Sequence, residues 1–447
     1  MIVMKFGGTS VGSAAAIRQV QEIVAMQRDR RPIVVVSAHA GVTDSLLELG
    51  RRAATAGKTD TKAIEQRHRE ILRELELPDD LLDPLLKDLR DLVRGMKLVG
   101  EASPRVMDHL ASFGERCSSR TVAAYFTRQG LPATAVDAGE AGLRTDSNFG
   151  RAKPQPDDGR LARSLGAVNG VPVVTGFIGM DERGNVTTLG RNGSDYSAAW
   201  IGNAVGAEEI QIWKDVDAVM TADPRIVKTA RPIPTMSFAE ASELSFYGSK
   251  VLHPATILPA MDKSIPVRVL NTMRPESPGT RILPNYEEPG VVVRAVVAKR
   301  GVHLISLISP RMLEQHGFLA RVFGTADRHE IDVDLVATSE VSISMTTDRA
   351  DNLVAFAEEL SKVGKVNVES GLALVCVVGQ GMAKASDVAA QVLTTLAECG
   401  VAVRAISQGA IKVNIALVLQ QPDVERAVIA LHDRFFPRIP LGSDPRG

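Results

Sequence analysis

The 447-residue sequence predicts an α/β protein in which a central, mostly parallel sheet is followed by a tandem repeat of smaller units. Two patterns predict this fold. Short apolar runs alternate with helical patterns in the first part of the chain, and strand and helix patterns recur twice in one order in the last part. From about residue 275, proline and glycine mark a connection between the two parts. We therefore predict domains at 1–285, 295–370 and 371–447.

The first two strands are each followed by a glycine turn and a helix. An apolar run over residues 1–6 stops at Gly7-Gly8, and apolar residues then recur at helical spacing over 17–24. A second buried-type strand over 33–36 leads to Ala40-Gly41 and another helix. This alternation predicts parallel strands covered by helices.

Charged helices and further strands complete the first part. Residues 60–113 carry apolar stripes at helical spacing amid dense charge. Strands are predicted at 132–137, 171–176 and 209–216, each ending at a glycine or an acidic residue. Because ligands bind beyond the carboxyl ends of such strands, we expect functional residues there.

The last part contains an internal repeat. Predicted strands at 304–308, 331–335 and 341–345, with a helix after the first and the third, are echoed by a second set in the same order. The second set of strands is predicted at 374–378, 401–406 and 411–417.

Composition narrows the classes of partner. The chain has 52 Lys and Arg against 53 Asp and Glu, so no overall field would attract nucleic acid or an anionic membrane. The start of the chain lacks the pattern of a signal peptide, and no apolar run is long enough to cross a bilayer, so we expect a cytoplasmic protein. Three widely spaced cysteines indicate neither a disulfide framework nor a structural zinc site. Small molecules are the expected partners.

The two glycine turns are candidate phosphate-binding loops. Glycine lets backbone N–H groups approach phosphate oxygens, and a helix N-terminus adds positive potential. Gly7-Gly8 and Ala40-Gly41 match neither the Walker A nor the dinucleotide-binding pattern, and a tight turn alone explains them equally well. Lys5 favours the phosphate interpretation, because a lysine in a buried strand is costly unless an anion meets it.

The densest polar segment covers residues 187–197 and leads into an apolar helix. Ser194 or Asp195 suits a helix cap, but Arg191 and Asp195 flanking a glycine offer more than a cap needs. Arginine can bind a carboxylate through two parallel hydrogen bonds, and an aspartate can orient a lysine.

Six motifs together resemble the aspartate kinases of the amino acid kinase superfamily. They are KFGGTSV, SAHAGVTD, GER, TTLGRNGSDYSA, WKDVDAVMTADPR and GSKVLHPAT, in the family's order, and the tandem repeat resembles paired ACT domains. The resemblance spans essentially the whole chain. It implies an amino acid kinase (carbamate kinase-like) sandwich followed by two βαββαβ ferredoxin-like ACT domains. The chain length is that expected of a monofunctional enzyme without a homoserine dehydrogenase half.

The resemblance also implies roles for individual residues. Lys5 and Gly8 would contact the transferred phosphoryl group, and Asp195 would hold the lysine in position. Within the implied aspartate site, Glu115 would face the ammonium and Arg191 the α-carboxylate. The implied aspartate-binding residues are Thr43, Glu115, Phe177, Arg191 and Ser194. The implied nucleotide-binding residues are Lys5, Gly7, Gly8, Ser10, Asp215, Met220, Arg225, Lys250 and Val251. Two positions depart from the pattern: Lys214 stands where several members have threonine, and Met220 where many have tyrosine.

The implied reaction is direct phosphoryl transfer from ATP to the β-carboxylate of L-aspartate. A carboxylate is a nucleophile at neutral pH, so positioning and charge neutralisation suffice. No metal-binding cluster is evident, and Mg²⁺ is expected to arrive on the nucleotide. Two alternatives stay open: another kinase of the same fold, such as a glutamate kinase, and a non-catalytic amino-acid sensor.

The first repeat is the predicted site of feedback inhibition by L-lysine. Ser309-Pro310 is expected to begin a helix whose free N–H groups suit a carboxylate, and Asp334 and Glu340 are expected to lie near one another and suit a cation. These residues resemble the lysine-binding pattern of lysine-sensitive members. The implied effector residues are Met312, Val333, Asp334, Thr338, Ser339 and Glu340. The second repeat has Arg404 at the equivalent place, and the resemblance implies a homodimer or homotetramer formed through the ACT domains.

Overall fold

The computed structural model describes residues 1–190, 192–248, 254–312, 316–409 and 413–437. The chain divides into two compact units. The first unit contains residues 1–219 and 251–285, and the second contains residues 220–250 and 286–447.

Sixteen strands are found in the part of the chain that the structure describes. In chain order they are β1 (Ile2–Phe6), β2 (Pro32–Val36), β3 (Ala133–Val136), β4 (Val171–Thr175), β5 (Ile178–Met180), β6 (Val186–Thr188), β7 (Glu209–Lys214), β8 (Thr235–Ser237), β9 (Val267–Asn271), β10 (Thr280–Leu283), β11 (Ala295–Ile308), β12 (Val336–Thr338), β13 (Ser342–Thr347), β14 (Lys365–Val378), β15 (Ala405–Ser407) and β16 (Asn414–Gln420).

Fourteen α-helices are found within the same ranges. They are α1 (Ala14–Met26), α2 (Val42–Ala56), α3 (Lys62–Glu74), α4 (Asp83–Val99), α5 (Pro104–Arg128), α6 (Ala138–Ala141), α7 (Arg160–Gly166), α8 (Gly193–Val205), α9 (Phe238–Phe246), α10 (Pro254–Asp262), α11 (Phe318–Arg328), α12 (Leu353–Leu360), α13 (Val388–Glu398) and α14 (Val424–Phe435).

A largely parallel sheet forms the centre of the first unit. Within this unit its strands follow the order β3-β4-β2-β1-β7-β9-β10, and only β10 runs antiparallel to its neighbour. All residues of β1, β2 and β4 are buried, as expected for strands covered on both faces. The predicted βα alternation and mostly parallel sheet are therefore confirmed.

The helices predicted within residues 60–113 pack on this unit through their apolar stripes. In α4, Leu85, Leu89 and Val93 are buried at helical spacing, while the charged residues between them face outward. At the start of α1, the Ser13 hydroxyl accepts a hydrogen bond from the N–H of Ala16 and so caps the helix that follows the glycine turn.

The second unit contains a six-stranded antiparallel sheet in the order β12-β13-β11-β14-β16-β15. Strands β11 and β14 have 14 residues each and pair with one another along their length. The two ends of β11 lie in different repeats. Residues near Leu304 pair with β13 of the first repeat. Residues near Val297 pair with the part of β14 that also pairs with β16 of the second repeat. The predicted tandem repeat is thus built into one continuous sheet.

Strands β12 and β15 begin later in the chain than the sequence predicts. Residues 331–335 precede β12, and of the predicted strand 401–406 only its end belongs to β15. The N–H of Ile331 still bonds to the carbonyl of Ala326 at the end of α11, and both Ile331 and Leu335 are buried. Their apolar character reflects burial against the core rather than membership of a strand.

None of the helices within the described ranges is long and apolar enough to span a membrane.

Candidate active site and effector site

A cavity of about 730 Å³ lies in the first unit, where β1, β2 and β7 reach their carboxyl ends. Six predicted residues line it: Lys5, Thr43, Glu115, Phe177, Ser194 and Asp195. They come from distant parts of the sequence and from both strands and helices. The fold thus brings together most of the predicted aspartate site with the predicted catalytic lysine and aspartate.

Asp195 is held between two lysines in this cavity. Its Oδ1 lies 2.5 Å from Lys5 Nζ, and its Oδ2 lies 3.0 Å from Lys214 Nζ. Burial alone would raise the pKa of Asp195, but the two ammonium groups hold it below its ordinary value. Asp195 also lies in the first turn of α8, where the helix dipole favours a negative charge. The carboxylate is therefore ionised and fixed.

The Gly7-Gly8 turn brings backbone close to Lys5. A Cβ at Gly8 would lie 2.9 Å from the carbonyl oxygen of Ala38, and one at Gly7 would lie 3.6 Å from Lys5 Nζ. The Gly8 carbonyl accepts a hydrogen bond from the N–H of Ala40, so the two predicted phosphate loops are joined. Glycine at position 8 is required by this close approach rather than by an unusual backbone angle.

Ser10, predicted to bind nucleotide, is buried, and its hydroxyl lies 2.7 Å from that of Thr272 after β9. This contact ties the loop after β1 to the end of β9. The hydroxyl is thus engaged within the first unit.

Glu115 is buried in α5 with one carboxyl oxygen unpaired. Its Oε1 accepts a hydrogen bond from the N–H of Ala38, whereas Oε2 has no hydrogen-bond partner among the residues described. Burial raises the pKa of this carboxyl to about 8, although the Ala38 N–H and the Lys5 ammonium act in the opposite direction. A buried oxygen without a partner is rare in native proteins, and a ligand cation would satisfy it.

Phe177 and Ser194 are fixed by close contact between the end of β4 and the start of α8. Phe177 has a φ of +65°, an uncommon conformation for a residue with a side chain, and its N–H donates to the hydroxyl of Ser197. A Cβ at Gly176 would lie 2.7 Å from the Cβ of Ser194, so this glycine allows the approach. Thr43 reaches the cavity from the first turn of α2.

Sequence reasoning missed several residues that line the cavity. Asp108 of α5 accepts hydrogen bonds from the N–H groups of Gly150 and Thr188 and from the Thr188 hydroxyl, at 2.8–2.9 Å. It lies two helical turns before Glu115, and this spacing was the signal that could have revealed it. Arg51 of α2 also lines the cavity.

Several predicted nucleotide-binding residues are not placed at this cavity. Asp215 is exposed directly after β7. Met220 and Arg225 belong to the second unit, where Met220 forms an isolated bridge with Pro232 and Arg225 pairs with Asp223 at 2.6 Å. Three further predicted residues lie outside the described ranges: Arg191, Lys250 and Val251.

In the second unit, the predicted effector residues lie in two groups. Met312 and Val333 pack against the apolar core of the first repeat, and the side chain of Asp334 is ion-paired with Lys299. The other group is exposed at the far end of β12 and consists of Thr338, Ser339 and Glu340.

The expected proximity of Asp334 and Glu340 is wrong within one chain. The N–H of Asp334 bonds to the carbonyl of Thr346, whereas that of Ser339, beside Glu340, bonds to Ser342. These partners are four residues apart on β13, a distance of roughly 13 Å at the rise of a strand. An extended strand separates the carboxylates, and Asp334 is instead neutralised by Lys299.

At the expected helix start after Ser309, Pro310–Met312 form a 3₁₀ turn, and residues 313–315 lie outside the described ranges. The Ser309 hydroxyl donates a hydrogen bond to the carbonyl of Val363. In the second repeat, the N–H of Arg404 bonds to the carbonyl of Val418, as that of Asp334 bonds to Thr346 in the first. This correspondence places arginine where the first repeat has aspartate.

Comparison with known proteins identifies the family. The sequence profile of the amino acid kinase family matches residues 1–271, and that of an ACT domain matches residues 375–435. Aspartokinase 2, chloroplastic, of Arabidopsis thaliana is 40% identical over 464 residues, which cover 98% of this chain and 85% of the relative.

Solved structures of E. coli aspartokinase III have the same fold at 36% identity. The complex with aspartate and ADP gives a TM-score of 0.85, covering 98% of this chain and 100% of that one. The complex with lysine and aspartate gives 0.79, covering 98% and 99%. The predicted fold class is confirmed, and the chain belongs to the aspartokinases of the amino acid kinase family.

Proposed function

We propose that this protein transfers the γ-phosphoryl group of ATP to the β-carboxylate of L-aspartate, which yields 4-phospho-L-aspartate and ADP. The observation that carries the proposal is that one and the same cavity is lined by the lysine-bound Asp195 and by Glu115, which has an unpaired oxygen. The lysines that are bound to Asp195 suit an anionic phosphoryl group. The unpaired oxygen of Glu115 suits the ammonium of an amino acid. The complex of E. coli aspartokinase III with aspartate and ADP supports this pairing of substrates.

We propose an orientation for the substrate within this cavity. The ammonium of aspartate faces Glu115 Oε2, and its β-carboxylate faces Lys5, beside the Gly7-Gly8 turn. We assign the α-carboxylate to Arg191 from the motif alone, because that residue lies outside the described ranges. Lys5 acts on the phosphoryl oxygens.

The reaction needs no general base. A β-carboxylate oxygen forms a bond to the γ-phosphorus, the bond from this phosphorus to the β,γ-bridging oxygen breaks, and its electron pair leaves with ADP. The protein's contribution is to align these atoms and to neutralise the negative charge of both reactants.

Two of the carboxylates that line the cavity, Asp108 and Asp195, are already engaged by groups of the protein. Both oxygens of Asp195 are held by lysines, and Asp108 is occupied by three hydrogen-bond donors. Within the described ranges, no cluster of three or more His, Cys, Asp or Glu is placed to bind a metal. We infer that Mg²⁺ arrives on the ATP phosphates, where it would neutralise charge.

We further propose that L-lysine inhibits the enzyme through the first repeat, with Asp334 as the central ligand of its side-chain ammonium. The structure of E. coli aspartokinase III with lysine and aspartate supports this effector. We propose domain limits of 1–285, 295–370 and 371–447, a homodimer or homotetramer formed through the ACT domains, and a cytoplasmic location.

Trapping the product with hydroxylamine tests the proposed activity. Acyl phosphates react with hydroxylamine to give hydroxamates, so ATP with L-aspartate should give a hydroxamate in equimolar amount to ADP. Product with glutamate but not with aspartate would assign a different kinase of this fold. Binding of amino acids without product from either substrate would indicate a non-catalytic sensor.

A further inference from the structure

Lys214 is a second, partly buried lysine in the active-site cavity, and none of the predicted roles uses it. It is the last residue of β7, and its side chain is 17% exposed. In the register between β1 and β7, Lys5 lies opposite Ile212, two residues before Lys214. Side chains two residues apart project from the same face of a strand, so Lys5 and Lys214 share one face of the sheet.

Lys214 lies beside the Gly7-Gly8 turn at the carboxyl edge of the sheet. The N–H of Gly7 donates to the carbonyl of Trp213, which places Lys214 level with the Gly7-Gly8 turn at the carboxyl edge of the sheet. Both lysines line the same cavity, and α8 supplies Asp195 between them. Lys214 therefore lies beside the loop that the proposed function assigns to phosphate.

The ammonium groups in direct contact with Asp195 carry one more charge than its single carboxylate. One carboxylate meets two ammonium groups, and each of its oxygens holds a single lysine. The pKa of Glu115, raised by burial, leaves that neighbouring carboxyl neutral at pH 7 in the free protein. A surplus positive charge at such a site is stabilised when an anion enters the cavity.

We propose that Lys214 is a second catalytic cation, which with Lys5 contacts the phosphoryl group during its transfer, and that Asp195 holds the two ammonium groups in place. This inference rests on the proposed function. As the carboxylate oxygen bonds to phosphorus and the bridging oxygen departs with its electron pair, negative charge spreads over the phosphoryl oxygens. Two fixed cations stabilise that charge more than one does, and no proton moves.

Kinetics of three variants test the assignment. Lys214→Met removes the charge at similar length, Lys214→Arg keeps the charge, and Lys87→Met is a matched control on the exposed face of α4. We expect Lys214→Met to lower kcat roughly 10²-fold or more, Lys214→Arg to retain part of the activity, and Lys87→Met to match the native protein. Equal kcat values for Lys214→Met and Lys87→Met would overturn the proposal, provided both unfold at the native temperature.

Nucleotide binding separates direct contact from an effect through Asp195. The affinity difference between β,γ-imido ATP and ADP measures the contacts made by the γ-phosphate. We expect Lys214→Met to reduce this difference in the native protein. We expect the same substitution to reduce it also when it is made in the Asp195→Asn variant. If the substitution has no effect once Asp195 is changed, Lys214 only positions that carboxylate and the proposal fails.

The binding assay also separates this proposal from the proposed function. It needs no aspartate and no turnover, so a loss of γ-phosphate affinity in Lys214→Met supports the assignment even if the native protein makes no aspartyl phosphate. Conversely, native aspartate kinase activity with unchanged γ-phosphate affinity and kcat in Lys214→Met would sustain the function and reject the role of Lys214.

Discussion

Lys299 of β11 and Asp334, which precedes β12, form an ion pair with 2.8 Å between Nζ and Oδ2. Lys299 is also 3.0 Å from Asp348, and its ammonium lies over the ring of Phe246. Burial alone would lower the pKa of Lys299, but the two carboxylates raise it above its ordinary value. The ammonium of Lys299 thus binds Asp334, the carboxylate to which we assign the side-chain ammonium of the lysine effector.

Removing that internal amine is expected to make the protein more sensitive to lysine. In Lys299→Met, the effector no longer has to displace a bound ammonium from Asp334, so the lysine concentration for half-inhibition should fall several-fold. Asp334→Asn should raise it. Inhibition curves at fixed aspartate and ATP measure both changes, and Lys362→Met, at an exposed site in the same repeat, is the control. A rise in half-inhibition for Lys299→Met would show that Lys299 assists the effector instead.

Substitution of Lys5 should affect the chemical step. We expect Lys5→Ala to lower kcat by roughly 10²-fold or more and to leave the KM for aspartate nearly unchanged, because the lost charge acts on the transition state. Steady-state kinetics with aspartate and ATP varied in turn measure the two parameters. A folded variant with native kcat would leave Lys5 with only the structural role of pairing with Asp195.

The raised pKa of Glu115 predicts a pH-dependent affinity for aspartate. The free carboxyl is neutral below about pH 8, yet the substrate ammonium requires the ionised form. The kcat/KM for aspartate should therefore rise with pH, by up to tenfold per unit, and level off above about 8. Glu115→Gln should lower kcat/KM and remove this rise. A native profile that is flat from pH 6 to 9 would contradict the assignment.

Two buried histidines predict sensitivity of the fold to acid. The rings of His39 and His68 are 5.1 Å apart, and burial lowers their pKa values to about 4 and about 3. Both histidines remain neutral in the folded protein, whereas in the unfolded chain they gain a proton below their ordinary pKa of 6.5. The free energy of unfolding is therefore unaffected by them above pH 6.5 and falls as the pH falls toward 4. At pH 4, each histidine should have lowered the free energy of unfolding by roughly 3 kcal/mol.

Urea unfolding at a series of pH values checks this expectation. His68→Leu removes one of the two groups, so its free energy of unfolding should fall less steeply than that of the native protein between pH 6.5 and 4. Parallel curves for the two proteins would show that other groups, such as carboxylates, cause the acid loss.

The strands and helices that depend only on residues close together in the sequence could be predicted from it. The strand ending at Gly7-Gly8 and the stripes of α4 follow from apolar spacing and glycine alone. The meeting of Lys5 with Asp195 depends on contacts across 190 positions of chain, and only the family resemblance predicted it. The burial of Glu115 was not evident, because a charged residue in a helix usually faces solvent.

The effector site shows what apolar patterns and motifs leave undetermined. Residues 331–335 have the composition of a strand but precede one, so the position of Asp334 relative to Glu340 was misjudged. The partner of Asp334 is Lys299, which lies 35 positions earlier in the chain and belongs to no motif that we identified. The contact between these two residues depends on how distant segments of the chain pack together, which neither segment encodes alone.

The long strands β11 and β14 have a consequence for synthesis of the chain. Residues 295–300 of β11 pair with residues 373–378 of β14, which leave the ribosome much later. At roughly 5–20 residues per second, the first half of β11 would remain without its β14 partner for about 4–15 seconds after its emergence. During this interval it presents an unpaired edge able to bind other chains. Nascent chains truncated shortly before residue 373 should therefore aggregate more readily than chains that extend past β16.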